Sequence, residues 1–253
     1  MTANARAEPN LSLRSSYVSN ERAWNIFLIA SVAVFIWSMK DLRWSALLPS
    51  AGFIAKGLGV SILLSVVSIT AGLVIAIPMA AARIYGNVLV RSVATVFIEV
   101  VRCTPELMVL FWIYFGIPRL TGNPIDGWIA AIIAMTLIAA AYLAEVVRAG
   151  LFSVHAEQWE AGRSTGLRDW HVFSKIILPQ ALRNMTGAML SQMVMLFKTT
   201  SLVYIVGVVE FFRTMQIVNN AVYAPFATYS LLAVVYFVCC YLITRIALLF
   251  ERK

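Results

Sequence analysis

EAGRSTGLRDWHVFSKIILP, residues 160–179, is a hydrophilic island in an otherwise apolar chain. Glu160-Ala161 opens it, Gly166 turns it, and Ile176-Ile177-Leu178-Pro179 closes it. Residues from about 155 to 165 are predicted to form one short helix. Gly166 would end it in the left-handed conformation that glycine adopts without strain. Asp169 is placed to cap a second helix in which Trp170, Phe173, Ile176 and Ile177 share one face. Pro179 is expected to stop that helix, because it cannot continue the backbone hydrogen bonding. Such a loop can lie flat on a bilayer as an amphipathic hairpin. Two helical pieces hinged at a glycine point rather to a surface on which another protein docks.

The surroundings of the island are those of a membrane protein. Of 253 residues, 61% are hydrophobic and only 13% charged, with mean hydropathy +0.83. Soluble domains carry about a quarter charged residues, so this composition belongs in a bilayer. The net charge of +8 is spread between apolar segments rather than clustered, which argues against nucleic acid as a partner. Cys103, Cys239 and Cys240 lie in apolar stretches without metal-ligand spacing, so neither a metal site nor a disulfide framework is indicated.

Residues 1–23 form a polar tail expected to be cytoplasmic. An apolar run from Trp24 to Met39 reads as an extra N-terminal membrane helix, with the loop to residue 56 completing that region. It lacks the small-residue cleavage site of a signal peptide. Five stronger segments follow, at about 57–82, 88–117, 128–147, 187–209 and 228–250, the second interrupted by charges and Pro105. No strand alternation runs through them, so the expected fold is all-α, a multi-pass bundle of six helices. The loop at about 150–186 carries Arg163, Arg168, Lys175 and Arg183, just after Arg148. The positive-inside rule makes that loop and both termini cytoplasmic, in a bacterial-type inner membrane.

Residues 162–166, GRSTG, match the GxSxG nucleophile elbow of hydrolases, but no strand precedes Ser164 and no triad partners are indicated. Hydrolysis is rejected. A phosphate-binding Walker loop is also missing from the sequence, so energy from ATP would have to come from a partner.

Charged residues within apolar segments each need a reason, since insertion of one costs at least ~2.5 kcal/mol. Glu99 and Arg102 stand three apart, Arg102 and Glu106 four apart, and Glu145 and Arg148 three apart, which allows ion pairs along one helix face. Lys198 either adds positive potential along a pathway or snorkels to an interface. Glu210 reads as the outer end of its helix, facing a loop or a binding protein. Met189, Met193 and Met195 read as packing.

The spacing of Glu160-Ala161, Gly166 and Ile176-Ile177-Leu178-Pro179 resembles the EAA loop of ABC-transporter permeases. VVRCTPELMVLFWIYFGIP (100–118) is similar to the RGTP segment of polar amino acid uptake permeases. AAYLAEVVRAGLFSV (140–154) and LFKTTSLVYIVGVVEFFR (196–213) match two further stretches of that family, so the likeness covers roughly residues 57–250. The resemblance implies the type I importer permease fold, five core helices plus the N-terminal one. It also implies that the chain is a transport subunit without cofactor or catalytic residues, ATP and Mg residing on separate ABC ATPase subunits. Those subunits would engage Glu160, Ala161, Gly162, Gly166, Leu167, Ile177, Leu178 and Pro179. A second permease subunit, identical or paralogous, would complete the pathway through the lipid bilayer, and an extracytoplasmic substrate-binding protein would deliver a polar amino acid. Arg102, which matches the motif arginine, is the candidate for holding the substrate carboxylate in paired hydrogen bonds, with Glu145, Lys198 and Thr199 as further pathway residues.

Three departures stand out. Gly162 replaces the motif's second alanine, which should cost the short helix ~1 kcal/mol. Glu157 replaces a common glycine, and Thr199 stands where aspartate is frequent. The stretches 107–115 and 201–214 look most like glutamate/aspartate permeases, so acidic amino acids are the expected substrate. Basic amino acids, glutamine or opine-like derivatives are the alternatives within this class, and an ion-coupled secondary transporter lies outside it.

Overall fold

A computed structural model describes residues 44–251, and all regular structure in that range is helical. The tail at 1–23, the expected helix at 24–39 and residues 40–43 of its following loop lie outside the described residues. Two 3₁₀ turns, Trp44–Ala46 and Leu48–Ser50, lead into α1 (Ala51–Tyr85). At 35 residues α1 rises about 50 Å, well beyond a ~30 Å hydrocarbon core, so it extends past the bilayer at its ends.

The expected second segment is not one span. It is α2 (Val88–Cys103), then a break, then α3 (Glu106–Phe111), a π-helical turn at Trp112–Gly116 and α4 (Ile117–Thr121). Thr104 and Pro105 are extended, with ψ of 135° and 132°, because the residue before a proline is pushed out of the helical region. α5 (Gly127–Phe152) begins at Asp126, whose side chain accepts hydrogen bonds from the Trp128 and Ile129 amides. α6 (Ala156–Ser164) and α7 (Asp169–Val172) form the hairpin of the polar island.

Pro179 does not stop the chain of helices there. α7 passes through a π-helical turn at Phe173–Ile177 into α8 (Leu178–Thr199) and a 3₁₀ turn at Thr200–Val206, helical over 38 residues. Pro179 sits in the first turn of α8, where the amide it lacks is unneeded and the wider π turn gives its ring room. α9 (Phe211–Val222) and α10 (Pro225–Glu251) complete the fold. Among the described residues, four helical stretches are long and apolar enough to cross a membrane: Leu48–Tyr85, Gly127–Phe152, Asp169–Val206 and Pro225–Arg245.

The core is the contact of α1 with α5. Ser68, Gly72, Ala76 and Ala80 recur every fourth residue on α1 and are buried, as are Ala131, Ala134, Ala139, Ala140, Ala141 and Ala144 on α5. Lipid tails supply no hydrophobic push between helices, so association relies on close van der Waals contact, which small side chains permit. Toward the start of α1 the same ridge, Gly57, Ser61 and Ser65, turns to α9, where Gly57 meets Thr214.

Glu210 lies at that junction, and it is not an outward-facing group. It is fully buried at the N-cap of α9, accepting from the Phe212 and Arg213 amides at 2.7 Å each and from the Ser61 hydroxyl at 3.2 Å. Ser61 in turn accepts from the Phe211 amide at 3.1 Å, so one carboxylate and one hydroxyl bind α9 to α1.

A Cβ placed on Gly72 would lie 2.5 Å from that of Ala139 and 3.0 Å from the Ala140 amide nitrogen. Both neighbours belong to a packed helix, so Gly72→Val is expected to destabilise the detergent-solubilised protein by about 1–3 kcal/mol, read as a lowered thermal unfolding midpoint. Gly59→Val, where a Cβ meets open space, is the control expected to leave the midpoint in place.

Candidate functional site: the polar hairpin and the membrane charges

The hairpin is built as its sequence suggests at the turn and differently on its second arm. α6 ends at Ser164, and the chain turns at Gly166, whose φ of +79° is the left-handed value and whose amide donates to the Arg163 carbonyl at 2.9 Å. Asp169 does not cap α7. It starts that helix, and its Oδ1 instead accepts from the Arg163 Nε at 2.8 Å, closing the two arms across the turn. The inward face of the second arm is Val172, Phe173, Ile176 and Ile177, packed with Trp159, Val154, Met185 and Leu151. Trp170 is not part of it; 70% of its surface is exposed, since residue 170 falls on the side of α7 opposite Val172. Sequence periodicity placed the wrong aromatic inward because the π turn shifts the register one residue later.

Side chains tie the first arm and the end of α5 to α8. Asn184 of α8 donates to the Ser153 hydroxyl at 2.8 Å, and Gln180 donates to Gln158 at 3.3 Å and to the Ile176 carbonyl at 3.0 Å. Trp159 stacks on Phe173 with ring centres 6.3 Å apart, and Arg163 lies over Trp159. The hairpin is therefore packed against the ends of α5 and α8.

The predicted hairpin residues divide into two groups. Glu160, Ala161, Gly166 and Leu167 are exposed on the outer surface with Trp170, whereas Gly162 and Ile177 are buried behind it; Leu178 is half-buried and Pro179 exposed. The buried pair supports the surface and does not form it. Gly162 has a packing reason: a Cβ there would come within 2.7 and 2.8 Å of the two methyls of Val172, a stiff and fully buried side chain. Ser164 ends α6 and donates to the Glu160 carbonyl at 2.8 Å, with no strand before it, so GRSTG has none of the geometry of a nucleophile elbow.

Above the hairpin, the membrane charges pair differently from the local spacing. Glu145 does meet Arg148, as i,i+3 spacing allows. Glu99 and Glu145 are both held by Arg83, at 3.1 and 2.6 Å, which links α1, α2 and α5. Arg83 was not singled out by local spacing because its partners lie 16 and 62 residues away. Arg102 makes no ion pair among the described residues, and neither expected partner, Glu99 or Glu106, takes it. Its guanidinium lies 5.7 Å from the Tyr142 ring centre, and its Nε is buried without a hydrogen-bond partner. Glu106 accepts from the Thr199 hydroxyl at 2.8 Å, while the adjacent Lys198 is exposed.

Fold and hairpin together define a class: a helical integral membrane protein that, among the described residues, presents a braced polar hairpin outside its spans. The family model described as binding-protein-dependent transport system inner membrane component matches residues 68–253, and the chain belongs to that family. It is 33% identical over 211 residues to the glutamine transport system permease protein GlnP of Escherichia coli (strain K12), covering 83% of this chain and 96% of that protein. It is 31% identical over 189 residues to the glutamate/aspartate import permease protein GltK of Escherichia coli O6:H1, covering 72% and 84%. A crystal structure of an amino acid ABC transporter with histidines superposes with a TM-score of 0.78 at 28% identity, covering 84% of this chain and 99% of that one. The all-α permease fold expected from the resemblance is the observed one. As a permease component the chain is a transport subunit and not an enzyme, and ATP hydrolysis belongs to a separate subunit.

Gly162→Ala would gain ~1 kcal/mol of helix propensity, yet overfilling the contact with Val172 costs about 1–3 kcal/mol. The variant is expected to loosen the hairpin, seen as faster protease cleavage between residues 155 and 175. Adding Val172→Ala should restore part of the protection.

Proposed function

We propose that the chain forms half of the membrane pathway of an ATP-driven importer for a polar amino acid, with the hairpin as its coupling element. The observation that carries this reading is the bracing of the hairpin. Glu160, Ala161, Leu167 and Trp170 offer an outward surface; the Gln180–Gln158 hydrogen bond and the Trp159–Phe173 stack hold it against α8, and Asn184–Ser153 joins α8 to the end of α5. ABC ATPase subunits, carrying ATP and Mg, would grip that surface. Their closure would drive α5 and α8 as a unit and switch the pathway between inward- and outward-facing states. The second permease subunit, a copy or a paralogue, would supply the other wall. The extracytoplasmic binding protein would dock at the opposite end.

The positive-inside rule supports a cytoplasmic hairpin. Arg163, Arg168, Lys175 and Arg183 are on or beside it, with Arg83 and Arg91 at the same end, whereas Lys56, Arg119 and Arg213 belong to the other end. Both termini would then be cytoplasmic. Arg102, Lys198 and Thr199 remain the pathway residues of this reading. Glu145 belongs to it through the Arg83 network that joins three helices. Arg102 is the residue suited to a substrate carboxylate, because its guanidinium is free of ion pairs among the described residues. Similarity to a glutamine permease and to a glutamate/aspartate permease speaks for amino acid import but does not choose between amide and acid. Acidic amino acids remain the expectation from the stretches at 107–115 and 201–214.

Uptake of labelled glutamine, glutamate and arginine, in cells with and without the chain, tests the proposal. At least one is expected to depend on it, and Glu160→Lys should lower that uptake at least tenfold while the protein stays at its normal membrane level. If no amino acid depends on the chain, amino acid import is wrong. Unchanged uptake by the Glu160 variant would instead reject the coupling role of the hairpin.

A further inference from the structure

Arg83, Glu99, Glu145 and Arg148 satisfy one another's charge. Glu106 has no such partner. It opens α3 directly after the extended Thr104–Pro105 break and is only half-buried. Its one hydrogen bond among the described residues comes from a neutral hydroxyl, that of Thr199, to Oε2. A carboxylate can accept at about four positions, so Oε1 and most of the acceptor capacity are open. Ionisable groups inside membrane proteins face other charges or a pathway, and Glu106 has no cation within ion-pair distance among the described residues. Thr199 is only 7% exposed and is fixed on α8, so it orients this carboxylate without covering it.

We infer that Glu106 is a selectivity residue, which receives the α-ammonium group of the amino acid in transit and rejects side chains that carry a carboxylate. The inference rests on the amino acid reading above and deepens it. Two carboxylates cannot be brought together without cost, so a single fixed anion in the path favours neutral polar and basic amino acids over glutamate and aspartate. That departs from the acidic expectation. Thr199 acts as a positioning residue. An aspartate in its place would set a second carboxylate against the first, whereas the hydroxyl donates to it.

The test uses the whole transporter, assembled with its ATPase and binding protein, and compares maximal uptake rates of glutamine, arginine and glutamate. In the wild type, glutamine or arginine is expected to exceed glutamate. Glu106→Gln should lower the favoured rate about tenfold and shift its ratio to glutamate about tenfold toward glutamate, with KM, set by the binding protein, within twofold. Thr199→Val, which leaves the carboxylate in place, should move the ratio the same way by a smaller factor, and Thr199→Ser should not. Wild-type uptake that favours glutamate or aspartate would overturn the inference, as would a ratio unmoved in both the Glu106→Gln and Thr199→Val proteins. If Glu106→Gln fails to assemble, judged by co-purification of the ATPase subunit, Thr199→Val alone decides. Wild-type uptake of no amino acid is a different result, and it removes the amino acid reading itself.

Discussion

The close approach of α1 and α5 is the constraint on which the rest of this structure depends. Small residues at every fourth position of α1 let the two backbones come near enough for dispersion to hold them, where lipid gives no hydrophobic drive. That contact fixes the height of Arg83 against Glu145, and so the ion-pair network that also gathers α2. It sets where α5 leaves the bundle and therefore where the hairpin stands. The other end of the same ridge receives α9 through Ser61 and Glu210.

The charges within the bundle then fall into three kinds. Arg83, Glu99, Glu145 and Arg148 join helices. Glu210 is satisfied by backbone amides and a hydroxyl, a capping group placed deep in the fold. Arg102 and Glu106 stand on either side of the Pro105 break and, like Lys198, make no ion pair among the described residues; in the proposed reading Arg102 and Glu106 are the pair a solute meets. A zwitterion carries both complementary charges.

Much of this was legible in the sequence wherever the signal was local. The hairpin turn at Gly166, the break at Pro105 and the long apolar helices follow from backbone chemistry and hydropathy. What escaped depended on register or on distant partners. Pro179 reads as a stop, and only the preceding π turn lets a helix run through it. That turn also carries Val172 inward and Trp170 outward. Arg83, Thr199 and Ser61 acquire their roles from residues 62, 93 and 149 positions away, which no local spacing records. Gly162 looked like a weakened helix and is instead a fitted contact with Val172.

The coupling role of the hairpin is most directly tested by photo-crosslinking from single positions in the assembled transporter. A crosslinking side chain at Ala161 or Trp170, both exposed, should capture the ATPase subunit, and one at the buried Ile177 should not. Capture should change in yield between nucleotide-free and ATP-bound states. Absence of capture from both outward positions, with the ATPase still co-purifying, would contradict the hairpin as the coupling surface.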